Sequence, residues 1–231
     1  MKRLERATRK RITAIFRRLD YCTLGRLYCD EGGDAFWKDR RGPCQEFGIR
    51  IAEALLERLP AGGRSLYVGA GVAEIPVVAA EVLDLGRDVA AFNLRLDEVR
   101  VLNEACREDG FTWSSDDGRV AEGAFDHLWI VSVLNDPERF PELSALSYGR
   151  ANPLLFDSGR FEKERHEVMS LASACMAKLE NPAWVTTSIE EVPWIAAWCQ
   201  QKGMKFVVEG EDYPTAIVGD PLCFIRIGEN R

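Results

Sequence analysis

Ser65-Leu66-Tyr67-Val68-Gly69-Ala70-Gly71-Val72-Ala73-Glu74, continuing into Ile75-Pro76, is the stretch whose reading decides the fold. The apolar run ending at Val68 reads as a short buried strand, and two glycines one residue apart make the turn behind it. Pro76 then opens a helix, because proline is tolerated in a helix's first turn. A strand, glycine turn and helix in this order let a small polar ligand approach the backbone where side chains would collide. A dinucleotide fingerprint would place its third glycine at position 74, but Glu74 sets a carboxylate there, beside any pyrophosphate. A P-loop fails as well, since no Gly-Lys-Ser/Thr follows.

Working outward, the alternation of strand and helix continues. Asp88–Asn93 reads as a second buried strand, and Leu96, Val99, Leu102 and Cys106 mark one side of the following helix. A short Phe111–Ser114 strand, an acidic loop at Asp116-Asp117-Gly118 and a strong His127–Leu134 strand come next. Helices are expected at Glu138–Leu146, Phe161–Leu179 and Val192–Lys202, with strands at Trp184–Thr187, Lys205–Val208, Thr215–Val218 and Cys223–Ile227. Such alternation predicts an α/β fold, a doubly wound and mostly parallel sheet covered on both faces. Ahead of it, residues 21–43 mix glycines with Tyr28, Phe36 and Trp37 and read as irregular, and a helix is expected over 44–59. The expected organisation is an N-terminal helical extension over residues 1–60 and a Rossmann-like cofactor-binding domain over 61–231.

Composition bounds the function. The 231 residues are 46% hydrophobic and 29% charged, enough for one core and too apolar for a disordered chain. No apolar run approaches the roughly 18 residues that span a bilayer, which argues against a membrane protein. Seven cysteines, an odd number with no paired short spacing, fit reduced thiols in the cytoplasm and no zinc or iron–sulfur pattern, so no metal is expected. Residues 1–18 carry eight cationic side chains against Glu5 alone, while the whole chain is at −7. Leu4, Ile12, Ile15, Phe16 and Leu19 recur there at helical spacing, so the arm is expected to dock on the acidic body rather than to bind nucleic acid. His127, opening a buried strand, is expected to be structural, and His166 to be exposed.

The glycine turn and its sequel over residues 62–135 resemble the class I S-adenosylmethionine-dependent methyltransferases, whose first motif is an apolar strand with an acid followed by Gly-x-Gly-x-Gly. Gly69 and Gly71 take the first two glycine positions and Ala73 the third; the motif's acid falls on Tyr67. The family's second acid, which binds the ribose hydroxyls, falls on Asn93, whose amide can accept one such hydroxyl. The resemblance implies S-adenosylmethionine as cofactor, held by Gly69, Ala70, Gly71, Glu74, Asn93, Leu94, Asp116, Asp117 and Ser132. It implies methyl transfer, and a small molecule is the expected acceptor. The alternatives are a catalytically inactive cofactor-binding or scaffold protein of the same fold, and an unrelated NAD- or nucleotide-binding enzyme. Methyl transfer from a sulfonium needs alignment more than acid–base chemistry, so no catalytic triad is expected. Ligands bind outside the carboxyl ends of the strands in such sheets. Trp37, Arg40, Arg41 and Gln45 ahead of the first strand, Asn135 after the fourth and Tyr148 in the later loop are therefore the expected substrate contacts.

Overall fold

A computed structural model describes residues 2–29, 33–217 and 219–228, with the side chains of 33 and 34 excepted. Seven strands form one sheet: β1 (Arg64–Val68), β2 (Asp88–Phe92), β3 (Trp113–Ser114), β4 (Phe125–Ile130), β5 (Leu179–Ser188), β6 (Phe206–Tyr213) and β7 (Leu222–Ile227). Their order is β3-β2-β1-β4-β5-β7-β6. The first five pair parallel, whereas β7 runs antiparallel to both β5 and β6. Chain order runs outward from β1 through β2 to β3, then restarts at β4 on β1's other side. That reversal opens a crevice at the carboxyl ends of β1 and β4.

Helices α4 (Ile75–Leu83), α5 (Leu96–Cys106), α6 (Pro141–Ser147), α7 (Ser158–Met176) and α8 (Val192–Gln201) alternate with the strands. Side-chain alternation along β1 and β4 divides the interior into two layers. Tyr67 and Trp129 join the cluster containing α1–α5 residues, while Leu66, Val68, Leu128 and Ile130 join the one containing α7 and α8 residues. The doubly wound architecture expected from the sequence is the one observed.

Before the sheet come α1 (Arg6–Arg18), α2 (Tyr21–Tyr28) and α3 (Gly33–Arg58). The basic arm is docked: Leu4, Ile12, Ile15, Phe16 and Leu19 are buried. Its polar groups meet acids, with Arg9 paired to Glu53, Arg18 to Asp109, and the Glu5 N–H donating to Asp84 Oδ2 at 2.9 Å.

Residues 21–43, expected to be irregular, are largely helical. Asp20 caps α2 by accepting from the Cys22 and Thr23 N–H groups, each at 3.1 Å. Helix α3 runs through Pro43, because Trp37, Cys44, Ile51 and Leu55 fall on one buried stripe whose packing outweighs the single lost N–H. The expected strand at 215–218 does not form at Ala216–Ile217, and position 218 lies outside the described residues. Thr215 is instead tied into a local turn, its hydroxyl donating to Asp220 O at 2.8 Å and accepting from Gly219 N at 3.2 Å.

Candidate active site

A cavity of about 370 Å³ opens at the carboxyl ends of the central strands. One wall is the turn after β1. Gly69 adopts φ +72°, and a Cβ there would come within 2.5 Å of Val133, so glycine is required twice over. At Gly71 an added Cβ would lie 2.5 Å from Glu98 Oε1 and 3.0 Å from the Tyr28 hydroxyl. The missing side chain therefore makes room for the protein's own groups as well as for any ligand.

Those groups form a buried acidic floor. Glu98, only 1% exposed, accepts from the Tyr28 hydroxyl at 2.6 Å and from Asn93 Nδ2 at 3.2 Å. Burial raises the Glu98 pKa against these hydrogen bonds and the nearby Arg95. Glu74 accepts from the Gly71 N–H at 2.7 Å, and burial, opposed by that bond and reinforced by Glu98, pushes its carboxyl up to about 7. Asn93 is 7% exposed; its Nδ2 also donates to Ala70 O at 2.9 Å while Oδ1 accepts from Arg95 N at 2.8 Å. Both Nδ2 protons and one Oδ1 lone pair are thus taken by Ala70, Glu98 and Arg95, and one Oδ1 lone pair is left.

Tyr67, at the position of the resembled motif's acid, points away from the cavity into a closed network. Its hydroxyl donates to Glu81 Oε1 at 2.6 Å, and Glu81 also meets Ser65, His127 Nδ1 at 2.9 Å and Arg87 Nε at 2.9 Å. Arg87 in turn pairs with Asp126. His127 is wholly buried, as expected of a structural histidine, and His166 is exposed. Despite its burial, Glu81 has a lowered pKa, because His127, Ser65 and Tyr67 all stabilise the carboxylate.

The opposite wall is the segment after β4, held by a residue that sequence reasoning missed. The buried Glu191 carboxylate accepts from three successive backbone N–H groups, Ser132 at 2.9 Å, Val133 at 2.6 Å and Leu134 at 2.5 Å. It also accepts from the Ser188 hydroxyl at 2.8 Å. Ser188-Ile189-Glu190-Glu191 before an apolar run is a capping-box spacing, which was a legible signal; its reach to residues 132–134 was not. Ser132 is held at φ +57°, an uncommon conformation for a residue with a side chain.

Of the residues expected from sequence, Gly69, Gly71, Glu74, Asn93, Leu94, Asp116, Asp117, Ser132, Asn135 and Tyr148 all line this cavity, and Ala70 is buried directly behind it. Asp117 pairs with Arg119 at 2.7 Å, which holds its pKa below the usual carboxylate range. Tyr148 donates to Asp220, joining its loop to the turn before β7. Trp37, Arg40, Arg41 and Gln45 are corrections, since none lies on the cavity wall. Trp37 is 1% exposed among the rings of Tyr21, Tyr28 and Phe36. Arg40 lies over the Phe36 ring at 4.2 Å, and Gln45 donates to Thr13 at 2.8 Å. Arg41 is exposed near Tyr21. Continuing α3 through Pro43 turns this group away and presents Phe47, Gly48 and Ile51 instead.

No family model and no curated protein matches the sequence. Solved structures do. The magnesium protoporphyrin IX methyltransferase of Synechocystis PCC 6803 with bound S-adenosylmethionine aligns at 13% identity and TM-score 0.54, over 94% of this chain and 96% of that one. The same enzyme with bound S-adenosylhomocysteine aligns at 12% identity and TM-score 0.52, over 94% and 99%. The precorrin-6y C5,15-methyltransferase of Geobacter metallireducens GS-15 aligns at 11% identity and TM-score 0.49, over 79% and 89%. The chain has the fold of the class I S-adenosylmethionine-dependent methyltransferases.

Proposed function

We propose that this protein is an S-adenosylmethionine-dependent methyltransferase acting on a small molecule. The observation that carries the reading is the use of the glycine turn: the Gly71 N–H, a natural anion donor, is already taken by the Glu74 carboxylate. A pyrophosphate would find that donor occupied and the Glu74 carboxyl in its place, whereas a cationic sulfonium cofactor does not need the N–H. Among the described residues, six carboxylates line the cavity against two guanidiniums, Arg95 and Arg139. Both cations are paired, to Glu138 and Glu167 at 2.7 Å each, which leaves no cationic track for a nucleic acid phosphate chain. Of the basic arm, Arg9, Arg11 and Arg18 are paired with acids of the body, Glu53 and Asp109.

In this reading residues 1–60 cap the cofactor-binding part, residues 61–231, with Tyr28, Phe47 and Ile51 closing one side of the cavity. Gly69, Ala70, Gly71, Glu74, Asn93 and Leu94 face the cofactor's amino acid and ribose, and Asp116 and Asp117 its base. The bound cofactor supplies an electrophilic methyl group. The chain's own part is to orient it and to exclude water from the cavity. The engagement of Asn93 with Ala70, Arg95 and Glu98 favours one second reading, a member of this fold that holds its ligand without turning it over.

The experiment is calorimetric titration of the purified protein with S-adenosylmethionine and, separately, with NADH. Saturable binding of the first and none of the second is expected, and the reverse pattern overturns the proposal. Incubation with methyl-labelled cofactor and a small-molecule extract then separates enzyme from non-catalytic binder by label transfer.

A further inference from the structure

Helix α1 buries one side and turns the other to solvent, and its cations divide accordingly. Arg9, Arg11 and Arg18 reach sideways to Glu53 and Asp109. Arg6, Lys10 and Arg17 are exposed, and none of them has an acidic partner among the described residues. At about 100° per residue these three fall within about 40° of one another, on the side away from the buried Ile12, Ile15 and Phe16. Exposed Arg3 stands just before the helix. Helix α1 contains no acid, and Arg6 and Lys10 are like charges four residues apart at its amino end, where the helix dipole already disfavours a cation. The fold thus carries an uncompensated repulsion that an anionic partner on the outer side would relieve.

We infer that this outer face of α1 docks on an anionic lipid surface. The inference goes beyond the methyltransferase reading and does not depend on it. Residues 1–18 sum to +7 and the whole chain to −7, which leaves −14 on the rest. The partner must therefore meet the helix without meeting the body. A plane of lipid headgroups does so, because a helix about 10 Å across holds the body roughly one Debye length behind that plane. A nucleic acid chain would run past the helix, about 20 Å long, and onto the acidic surface beyond it. Phe16, the one aromatic ring of α1, is buried, so the outer face has no ring on which a base could stack. The apolar side of α1 is spent on the protein core, so the attachment is electrostatic and reversible, at about fivefold in affinity per cation.

The test is co-sedimentation of the full chain with vesicles of phosphatidylcholine alone or with about one part in four of phosphatidylglycerol. Binding to the anionic vesicles alone is expected, with release as salt rises from about 50 to about 200 mM. The triple variant Arg6→Gln, Lys10→Gln, Arg17→Gln should bind on the order of a hundredfold more weakly at an unchanged melting temperature. A matched triple variant on the sheet's other face, Lys163→Gln, Arg165→Gln, Lys202→Gln, should bind as the wild type does. Should the first variant unfold, the lipid and salt dependence of the wild type still decides. No binding to anionic vesicles at low salt, equal binding to neutral ones, or equal losses in the two folded variants overturns the inference. Binding of a mixed-sequence single-stranded RNA as tight as that of the vesicles, and lost in the first variant, assigns the face to nucleic acid and overturns it as well.

Discussion

Replacing Glu74 by Gln should change how stability depends on pH. In the folded protein its carboxyl is raised to about 7 from 4.5, chiefly by burial, with Glu98 facing it and no cation paired to it. Between these two values the native state holds a proton that the unfolded chain releases, so stability falls as pH rises from about 4.5 through 7 and stays lower above. A shift of this size corresponds to about 3 kcal/mol, which for a chain of this length is roughly 6–12 °C in Tm. Gln keeps one oxygen for the Gly71 N–H and cannot ionise. Glu98 and Glu191 are also raised by burial and contribute a slope of the same sign in both proteins, so the informative quantity is the difference. Calorimetric melting at pH 5 and pH 8 should show the wild type losing more Tm than Glu74→Gln over this interval. Equal losses in the two proteins would refute the reasoning.

Asn93→Asp should set a second carboxylate against Glu98 and remove the donor to Ala70 O, costing about 2–4 kcal/mol at pH 8 and less at pH 5 by urea denaturation; an unchanged midpoint at pH 8 would contradict the engagement described for Asn93. Glu81→Gln leaves Arg87 with Asp126 as its counter-ion but weakens the charge-assisted bonds to Arg87 and His127, and should cost about 1–3 kcal/mol, measured the same way. Deleting residues 1–11 strips Leu4 and the Arg9–Glu53 pair from the body and should lower stability by about 2–4 kcal/mol, with no salt-sensitive RNA binding before or after in a filter assay; tight RNA binding lost on deletion at constant Tm would reverse that view of the arm.

The arrangement of strands and helices from Ser65 to Leu134 was legible in the sequence because its signals are local. Apolar runs of strand length, the Gly69–Gly71 turn and Pro76 at a helix start each constrain only their own few residues, and together they imply the right-handed parallel crossovers that the sheet displays. The glycine turn at Gly69 was legible for the same reason, whereas Glu74, Asn93 and Asp116, which also line the cavity, were named through the methyltransferase resemblance. Tertiary structure alone decided the rest. Whether residues 33–58 form one helix depends on Trp37 and Cys44 finding a buried stripe, which no local propensity reports past Gly42-Pro43. That Tyr67 and His127 share Glu81 depends on β1 pairing with β4 across more than sixty residues. Glu191 reaching back to Ser132–Leu134 likewise joins groups far apart in the chain, and a buried carboxylate's partners are set by which backbone N–H groups the folded chain brings to it.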